Sequence, residues 1–140
     1  IATDHAPHTL EEKQQSSYFK APAGLPLVQH ALAKALELVH DGVLSLPQAV
    51  HKVSHGPAEL FNVRERGYLR EGYWADLVLV DMQASHKVER EDVLYKCGWS
   101  PLEGDTLRSR VTATLVNGEL KYREGEFFGG ASGVRLAFDR

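Results

Sequence analysis

The chain has 140 residues, of which 43% are hydrophobic and 25% are charged, and its net charge is −3. These ordinary globular values exclude a disordered or fibrous protein. The slight negative charge offers no basic surface for nucleic acid, and no apolar run approaches the roughly 20 residues of a membrane span. Cys97 is the single cysteine, which excludes an internal disulfide and favours a reduced, cytoplasmic setting. We therefore expect neither a nucleic-acid partner nor a membrane partner.

The first part of the chain predicts a strand end, a long loop and a helix. Residues 1–3 are apolar and β-branched, which suits the end of a buried strand. Residues 4–22 are polar and contain two prolines, so they predict a loop of nearly 20 residues, and loops of that length are usually functional or mobile. Apolar residues recur at three- and four-residue spacing over residues 25–40 and predict an amphipathic helix.

A second helix is predicted to begin at Ser45. A serine is a favoured N-cap, and Pro47 suits the first turn, where a missing N–H costs nothing. The Gly56-Pro57 pair is expected to break this helix before one more short helical turn.

After about Val63 the pattern changes from helical to β. Asn117-Gly118 is a strong signal for a type I′ turn, because both central residues need positive φ. The predicted strands are Tyr68-Leu69, a buried run at residues 75–80, residues 86–88, and a hairpin of residues 111–116 and 119–122. By itself this pattern describes a small α+β domain.

The densest group of chemically capable side chains is the string DHAPH at residues 4–8. A carboxylate at the C-terminal end of a strand can ligate a metal and accept a proton from water. A histidine four residues later, His8, can bind an anionic substrate. The alternative is a polar turn in which Asp4 caps backbone N–H groups, and composition alone favours that alternative.

Other candidate sites are weaker. His51 and His55 are four residues apart and could hold a metal on one helix face, but no glutamate intervenes as in H-E-x-x-H. Surface or helix-end histidines are the better interpretation. Cys97 is interpreted as a packed small side chain, and no glycine-rich loop for nucleotide phosphates occurs.

Several strings together resemble one known family. IATDHAPHTLEEK resembles the eighth-strand motif of dihydroorotases, in the amidohydrolase superfamily, and KAPAGLPLVQHAL resembles the loop and helix that follow there. HGPAELFNV and RGYLREGYWADLVLVD resemble the return from the barrel into the small β-domain, and YKCGWSPLEGDTLRSRVTATLVNGELKY resembles the C-terminal strands. The resemblance covers nearly the whole chain. The first string is fairly specific, whereas GYWADLVLVD identifies only the superfamily.

The resemblance implies a fold and an activity. The fold class is α/β: residues 1–63 would be the last strand, active-site loop and helices of a (β/α)8 barrel, and residues 64–140 a segment of the C-terminal β-domain with its tail. The activity would be that of a zinc-dependent dihydroorotase, a hydrolase that interconverts dihydroorotate and N-carbamoyl-L-aspartate in pyrimidine biosynthesis. The expected partners are this small-molecule substrate, the rest of the barrel, and further copies of the protein in a homo-oligomer.

The resemblance also assigns roles to individual residues. Asp4 would ligate the more buried zinc and act as general base toward the bridging hydroxide. His8 would bind the substrate carboxylate, with help from the backbone around Ala6. The backbone of Ala23 and Gly24 would contact the substrate from the loop before the helix.

Most of the family's metal ligands are not present in these residues. No H-x-H pair occurs, and the bridging carboxylated lysine, the two further histidines and the substrate-binding arginine have no counterparts. One carboxylate alone cannot hold a catalytic zinc, so we expect the chain to be a C-terminal fragment, inactive by itself. Gly56 stands where the family commonly has asparagine. A hydantoinase, dihydropyrimidinase or allantoinase, or a catalytically silent homologue, therefore remains an alternative.

Overall fold

The structure, a computed structural model, describes residues 1–139. Helices occupy the first part of the chain and strands the second, so the mixed α and β character is confirmed. The helices are Leu10–Lys13 (α1), Ala31–His40 (α2), Leu46–Val50 (α3) and Gly56–Leu60 (α4), with 3₁₀ turns at Tyr18–Lys20, Val28–His30 and Arg90–Asp92 and a π-turn at His51–His55. The strands are Leu77–Asp81 (β1), His86–Lys87 (β2), Thr106–Leu107 (β3), Arg110–Val116 (β4), Glu119–Arg123 (β5) and Glu126–Phe127 (β6). None of the described helices is long and apolar enough to cross a membrane.

The strands form two antiparallel sheets. The larger has the order β1-β4-β5-β6, and the smaller pairs β2 with β3. The predicted hairpin is confirmed, with Asn117 at φ 52° and Gly118 at φ 83° in its turn. The predicted burial of β1 is wrong, because Val78 is 47% exposed and Leu79 is 51% exposed. No described element covers these two apolar side chains.

The helix predicted over residues 25–40 begins later than expected. Leu25 pairs with His5 in a parallel bridge, and the imidazole Nδ1 of His5 accepts the N–H of Leu27 at 3.0 Å. These bonds hold the start of the segment extended. A 3₁₀ turn at Val28–His30 then leads into α2.

The predicted break at Gly56-Pro57 is wrong, because the chain stays helical from Leu46 to Leu60. The predicted cap at its start is confirmed: the Ser45 hydroxyl accepts the N–H of Gln48. The π-turn His51–His55 lies directly before Gly56, whose N–H bonds to the carbonyl of His51. Pro57 has no N–H for the helical ladder, and it sits in the first turn of the helix that follows the wider turn.

Two predicted strands are not formed in the described residues. Residues 1–3 have no strand beside them, and the pairing at this end is confined to the bridge between His5 and Leu25. Tyr68 and Leu69 lie between Gly67 and Gly72, whose positive φ values of 81° and 80° turn the backbone away from a ladder.

The C-terminal tail returns to the end of α4. Val63 forms an antiparallel bridge with Phe138. The N–H of Arg64 bonds to the carbonyl of Ala137 at 2.9 Å, and the N–H of Asp139 bonds to the carbonyl of Asn62 at 2.9 Å. The tail therefore pairs with the segment between the helical and β parts. The division into domains at residue 63 stays a prediction.

The best-buried apolar cluster joins α2 to the smaller sheet. Ala33 packs with Val88 and Leu107, which are 1% and 0% exposed, and Leu102 covers this group. Because Ala33 has a short side chain, the helix can approach the sheet closely. This cluster connects the two parts of the chain.

An ion-pair network lies beside this cluster. The Arg108 guanidinium bonds to the Glu37 carboxylate at 2.8 Å and to Asp41 at 2.5 Å. The side chain of Glu37 is only 14% exposed. Burial opposes its ionisation, but the Arg108 backbone N–H and guanidinium outweigh burial and hold the pKa of Glu37 below its ordinary value.

Replacing Arg108 should destabilise the fold and weaken its pH dependence. Arg108→Met removes the guanidinium from a nearly buried carboxylate and leaves it only the backbone N–H of residue 108, which should cost about 1–3 kcal/mol at pH 7. Since the folded pKa of Glu37 is lowered, its contribution is complete above the unfolded pKa and is lost as pH falls through the folded pKa. Urea unfolding at pH 7 and at acidic pH measures this difference.

The matched control is Lys34→Met, which removes the more exposed pair of Lys34 with Asp105 at 3.3 Å. An exposed pair of this kind contributes about 0–1 kcal/mol. Equal losses in the two variants at pH 7, or a loss in Arg108→Met that persists unchanged in acid, would contradict the prediction.

Candidate active site

The polar loop at residues 4–25 is closed at its base. The N–H of Ala6 bonds to the carbonyl of Leu25 at 3.0 Å, beside the bridge between His5 and Leu25. The two ends of the loop are therefore adjacent. This closure brings Ala6 and Gly24, two of the predicted substrate-binding residues, into contact.

Gly24 is the residue that permits this approach. Its φ is +96°, and a Cβ built on it would lie 2.3 Å from the Cβ of Ala6. Any larger residue would need a strained backbone and would push the two sides of the loop apart. The N–H of Ala6 is already used by Leu25, so Ala6 helps to close the loop.

Asp4 lies at the start of the loop with its side chain available. It is exposed and adopts φ 47°, in the left-handed region that aspartate tolerates better than most residues. Within residues 1–139 no hydrogen bond ends on its carboxylate. The described residues thus give no support to the alternative in which Asp4 caps backbone N–H groups.

His8 is followed by a short capped helix. The Thr9 hydroxyl and the Glu12 side chain form a capping box at the start of α1. The Thr9 backbone N–H, followed by its hydroxyl, lowers the pKa of Glu12, and the nearby His8 imidazole adds to this effect. The Nδ1 atom of His8 lies 3.7 Å from a Glu12 carboxylate oxygen, and the His8 side chain is 38% exposed. His8 thus lies near a carboxylate and is partly open to solvent.

Lys13 holds the far side of the loop, a role that the sequence did not indicate. Its ammonium donates to the carbonyl of Pro22 at 2.6 Å and to that of Gly24 at 3.0 Å. Within residues 1–139 no hydrogen bond uses the N–H of Ala23 or Gly24. Two backbone donors are therefore left open for an acceptor. In the sequence, Lys13 is visible only as the last residue of the string EEK, and nothing there indicates that it bonds to the loop.

His5 has a structural position. Its Nδ1 accepts the N–H groups of Leu27 and Val28 at 3.0 and 3.3 Å, and its ring centroid lies 5.1 Å from that of Tyr95. His5 therefore shapes the entry into α2, and its ring contacts the C-terminal part of the chain.

Asp4 is the one residue of the described chain that the sequence analysis predicts as a zinc ligand. Asp4 has a suitable, exposed carboxylate, but residues 1–139 bring together no group of three metal-ligating side chains. Catalytic zinc needs three protein ligands, so a zinc held by Asp4 requires ligands from outside these residues.

The histidine pair on the second helix is engaged elsewhere. The His55 Nδ1 lies 2.5 Å from the carbonyl of Gly67, and its ring stacks on Tyr68 at 4.1 Å. His51 lies 3.9 Å from the Glu59 carboxylate. These contacts connect the helix to the following loop, in agreement with the non-metal interpretation.

Removing the Lys13 charge should loosen the loop. Lys13→Met keeps most of the side-chain length and deletes both bonds. Hydrogen bonds to a charged donor contribute about 1.5–3 kcal/mol, so amide exchange in residues 14–25 should accelerate by about one to two powers of ten. Hydrogen-exchange mass spectrometry measures this, with the exposed Lys20→Met in the same loop as control. Equal exchange in both variants would exclude the role of Lys13.

Nearly the whole chain is similar to curated dihydroorotases. The chain is 38% identical to a dihydroorotase of Pyrococcus abyssi over 97% of its own length and 32% of that protein, and 35% identical to one of Pyrococcus horikoshii over 97% and 31%. It therefore spans about a third of the length of these curated relatives.

Solved structures extend the comparison to the fold. A D-hydantoinase from a Bacillus sp. AR9 superposes with a TM-score of 0.83 at 27% identity, covering 98% of this chain and 32% of that one. Residues 26–122 match the amidohydrolase family. Because this match covers more than half of the chain, the protein belongs to the amidohydrolase family.

Proposed function

We propose that this chain is the C-terminal third of a dihydroorotase, which opens the cyclic amide of dihydroorotate to N-carbamoyl-L-aspartate and closes it again. The observation that carries the proposal is the closed loop at residues 4–25, with the exposed Asp4 carboxylate at its start and His8 beside α1. Similarity to dihydroorotases over 97% of the chain supports it.

Asp4 is the proposed general base. In the hydrolytic direction, water adds to the ring carbonyl carbon, the carbonyl carbon–nitrogen bond breaks, and the departing nitrogen needs a proton. Asp4 accepts the proton from water and delivers it to that nitrogen, so no net proton is lost. A zinc ion bound partly by Asp4 would polarise the carbonyl and make water more acidic. The exposed carboxylate of Asp4 suits both roles.

The substrate carboxylate is assigned to His8 and the loop backbone. The His8 ring is partly exposed, and a protonated imidazole makes charge-assisted bonds to a carboxylate. The N–H groups of Ala23 and Gly24, which no hydrogen bond within residues 1–139 uses, add neutral donors from the other side of the loop, and Ala6 helps by closing the loop against Gly24. This arrangement favours an anionic ring over an uncharged one.

The surface of the chain supports a larger parent structure. It exposes 9696 Å², roughly a third more than the 7,250 Å² or so of a compact monomer of this mass. Exposed apolar side chains occur on both parts, including Phe19 at 94%, Leu69 at 85% and Leu79 at 51%. We therefore propose that the remaining barrel covers part of this surface and supplies the other metal ligands. A homo-oligomer and a cytoplasmic location remain predictions.

The alternative function is hydrolysis of hydantoins or dihydropyrimidines. The similarity to solved hydantoinases, such as the Bacillus structure above, favours it. The two candidates differ in the substrate carboxylate, which dihydroorotate has and those rings lack. Substrate choice therefore separates them.

Asp4→Ala in the complete enzyme should abolish most activity. Loss of general-base catalysis alone costs about 10²–10⁴-fold, and loss of a metal ligand adds to it. The measurement is kcat/KM for dihydroorotate, with zinc content determined in parallel. Asp4→Asn is the matched variant, since it keeps the shape and removes the charge. Near-normal activity in either variant would remove Asp4 from the chemistry.

His8→Ala in the complete enzyme should weaken the use of dihydroorotate selectively. Charge-assisted bonds contribute about 1.5–3 kcal/mol, so kcat/KM should fall by about one to two powers of ten. Hydrolysis of dihydrouracil should change much less, because no carboxylate contact is lost, and zinc content should stay constant.

An equal fall for both substrates, or loss of zinc, would assign His8 to the metal site or the fold. A wild-type preference for the uncharged ring would favour the hydantoinase alternative instead.

A further inference from the structure

We propose that Trp99 is a positioning residue for His8, an inference that rests on the proposed carboxylate-binding role of His8. The indole Nε1 of Trp99 donates a hydrogen bond to the backbone carbonyl of His8 at 2.8 Å. The two residues are 91 positions apart in the chain. A residue of the C-terminal part thus contacts the active-site loop at the residue that would bind substrate.

Trp99 is itself held in a rigid turn. The N–H of Gly98 bonds to the carbonyl of Tyr95 at 2.9 Å. Ser100 is only 4% exposed, and its N–H bonds to the Glu103 carboxylate at 3.1 Å. Its hydroxyl accepts the N–H of Leu102 at 3.2 Å, and Leu102 covers the best-buried apolar cluster. The indole therefore projects from backbone that is fixed on both sides.

The segment that carries Trp99, residues 92–99, also bonds to Gln29, which lies just after the loop. The Tyr95 hydroxyl accepts the N–H of Gln29 at 2.8 Å. The Gln29 side chain donates to the carbonyl of Asp92 at 2.7 Å and accepts the N–H of Leu94 at 2.8 Å. Residues 92–99 thus bond to Gln29 on one side of the loop and to His8 on the other.

These contacts leave His8 with one backbone placement. Its N–H bonds to the carbonyl of Ala6 at 3.0 Å, and its carbonyl accepts the indole of Trp99. With both backbone groups engaged, the point from which the imidazole reaches toward a substrate carboxylate is held in place. Loss of the Trp99 bond should release the His8 backbone without touching Asp4, so it should affect binding of the carboxylated substrate more than turnover.

Trp99→Phe in the complete enzyme tests this inference, because it keeps an aromatic ring and removes the N–H donor. A neutral hydrogen bond contributes a few-fold effect, so KM for dihydroorotate should rise about two- to tenfold while kcat changes little. KM for dihydrouracil should stay within about twofold. In a His8→Ala background the substitution should have no further effect on dihydroorotate, since the two residues act through one contact.

The matched control is Trp74→Phe, the same change at the other tryptophan of the chain. Trp74 is 44% exposed and lies against the Arg66 guanidinium in the β part, 5.2 Å from the ring centroid. This variant should keep both KM values. Trp99→His, which retains a ring N–H, should fall between the wild type and Trp99→Phe.

The outcomes separate the two proposals. A wild-type enzyme without activity on dihydroorotate overturns the proposed function and this inference with it. An active wild type whose KM is unchanged in Trp99→Phe overturns the positioning role alone. Equal loss of both substrates in Trp99→Phe and Trp99→His, accompanied by a lower Tm, would show that Trp99 supports only the fold.

Discussion

Helix α2 and the smaller sheet meet where Leu107 and Val88 pack on Ala33, and the position of the candidate active-site loop depends on this contact. The loop runs directly into the turn that begins α2, whereas the segment that holds its backbone from the other side leads into β3. If the helix and the sheet separated, Gln29 and Trp99 would no longer be held at a fixed distance from each other. The buried contact thus fixes where the β part lies relative to the loop at residues 4–25.

The network around Arg108 supports the same junction by a different physical means. Apolar packing at Leu107 is non-directional, so it brings the two parts together without fixing their orientation. The hydrogen bonds from Arg108 to Glu37 and Asp41 are directional and hold the helix at one angle. Together they hold the elements on both sides of the loop in place. The shape of the loop itself is then set by the close contact of Gly24 with Ala6 and by the hydrogen bonds of Lys13.

Local signals were read correctly where neighbouring residues decide the structure. The Ser45 cap and the Asn117-Gly118 turn depend on side chains and φ preferences within four residues, and both are found as predicted. The predicted break at Gly56-Pro57 was wrong because a π-turn just before the pair keeps the chain helical, and no local sequence preference indicates a π-turn there. The predicted helix start at residue 25 was wrong for a similar reason, since the His5 imidazole accepts the backbone N–H groups of residues 27 and 28.

The sequence by itself determined the chemistry that is available: the carboxylate of Asp4, the imidazole of His8 and the family to which their motif belongs. It also determined that helices come first and strands follow, and it located the hairpin, because hydrophobic period and turn residues are local properties. Only the tertiary structure decided which distant groups hold that chemistry in place. The bond from Trp99 to His8 joins residues 91 positions apart, and such a pairing follows from the packing of whole elements, which periodicity does not encode.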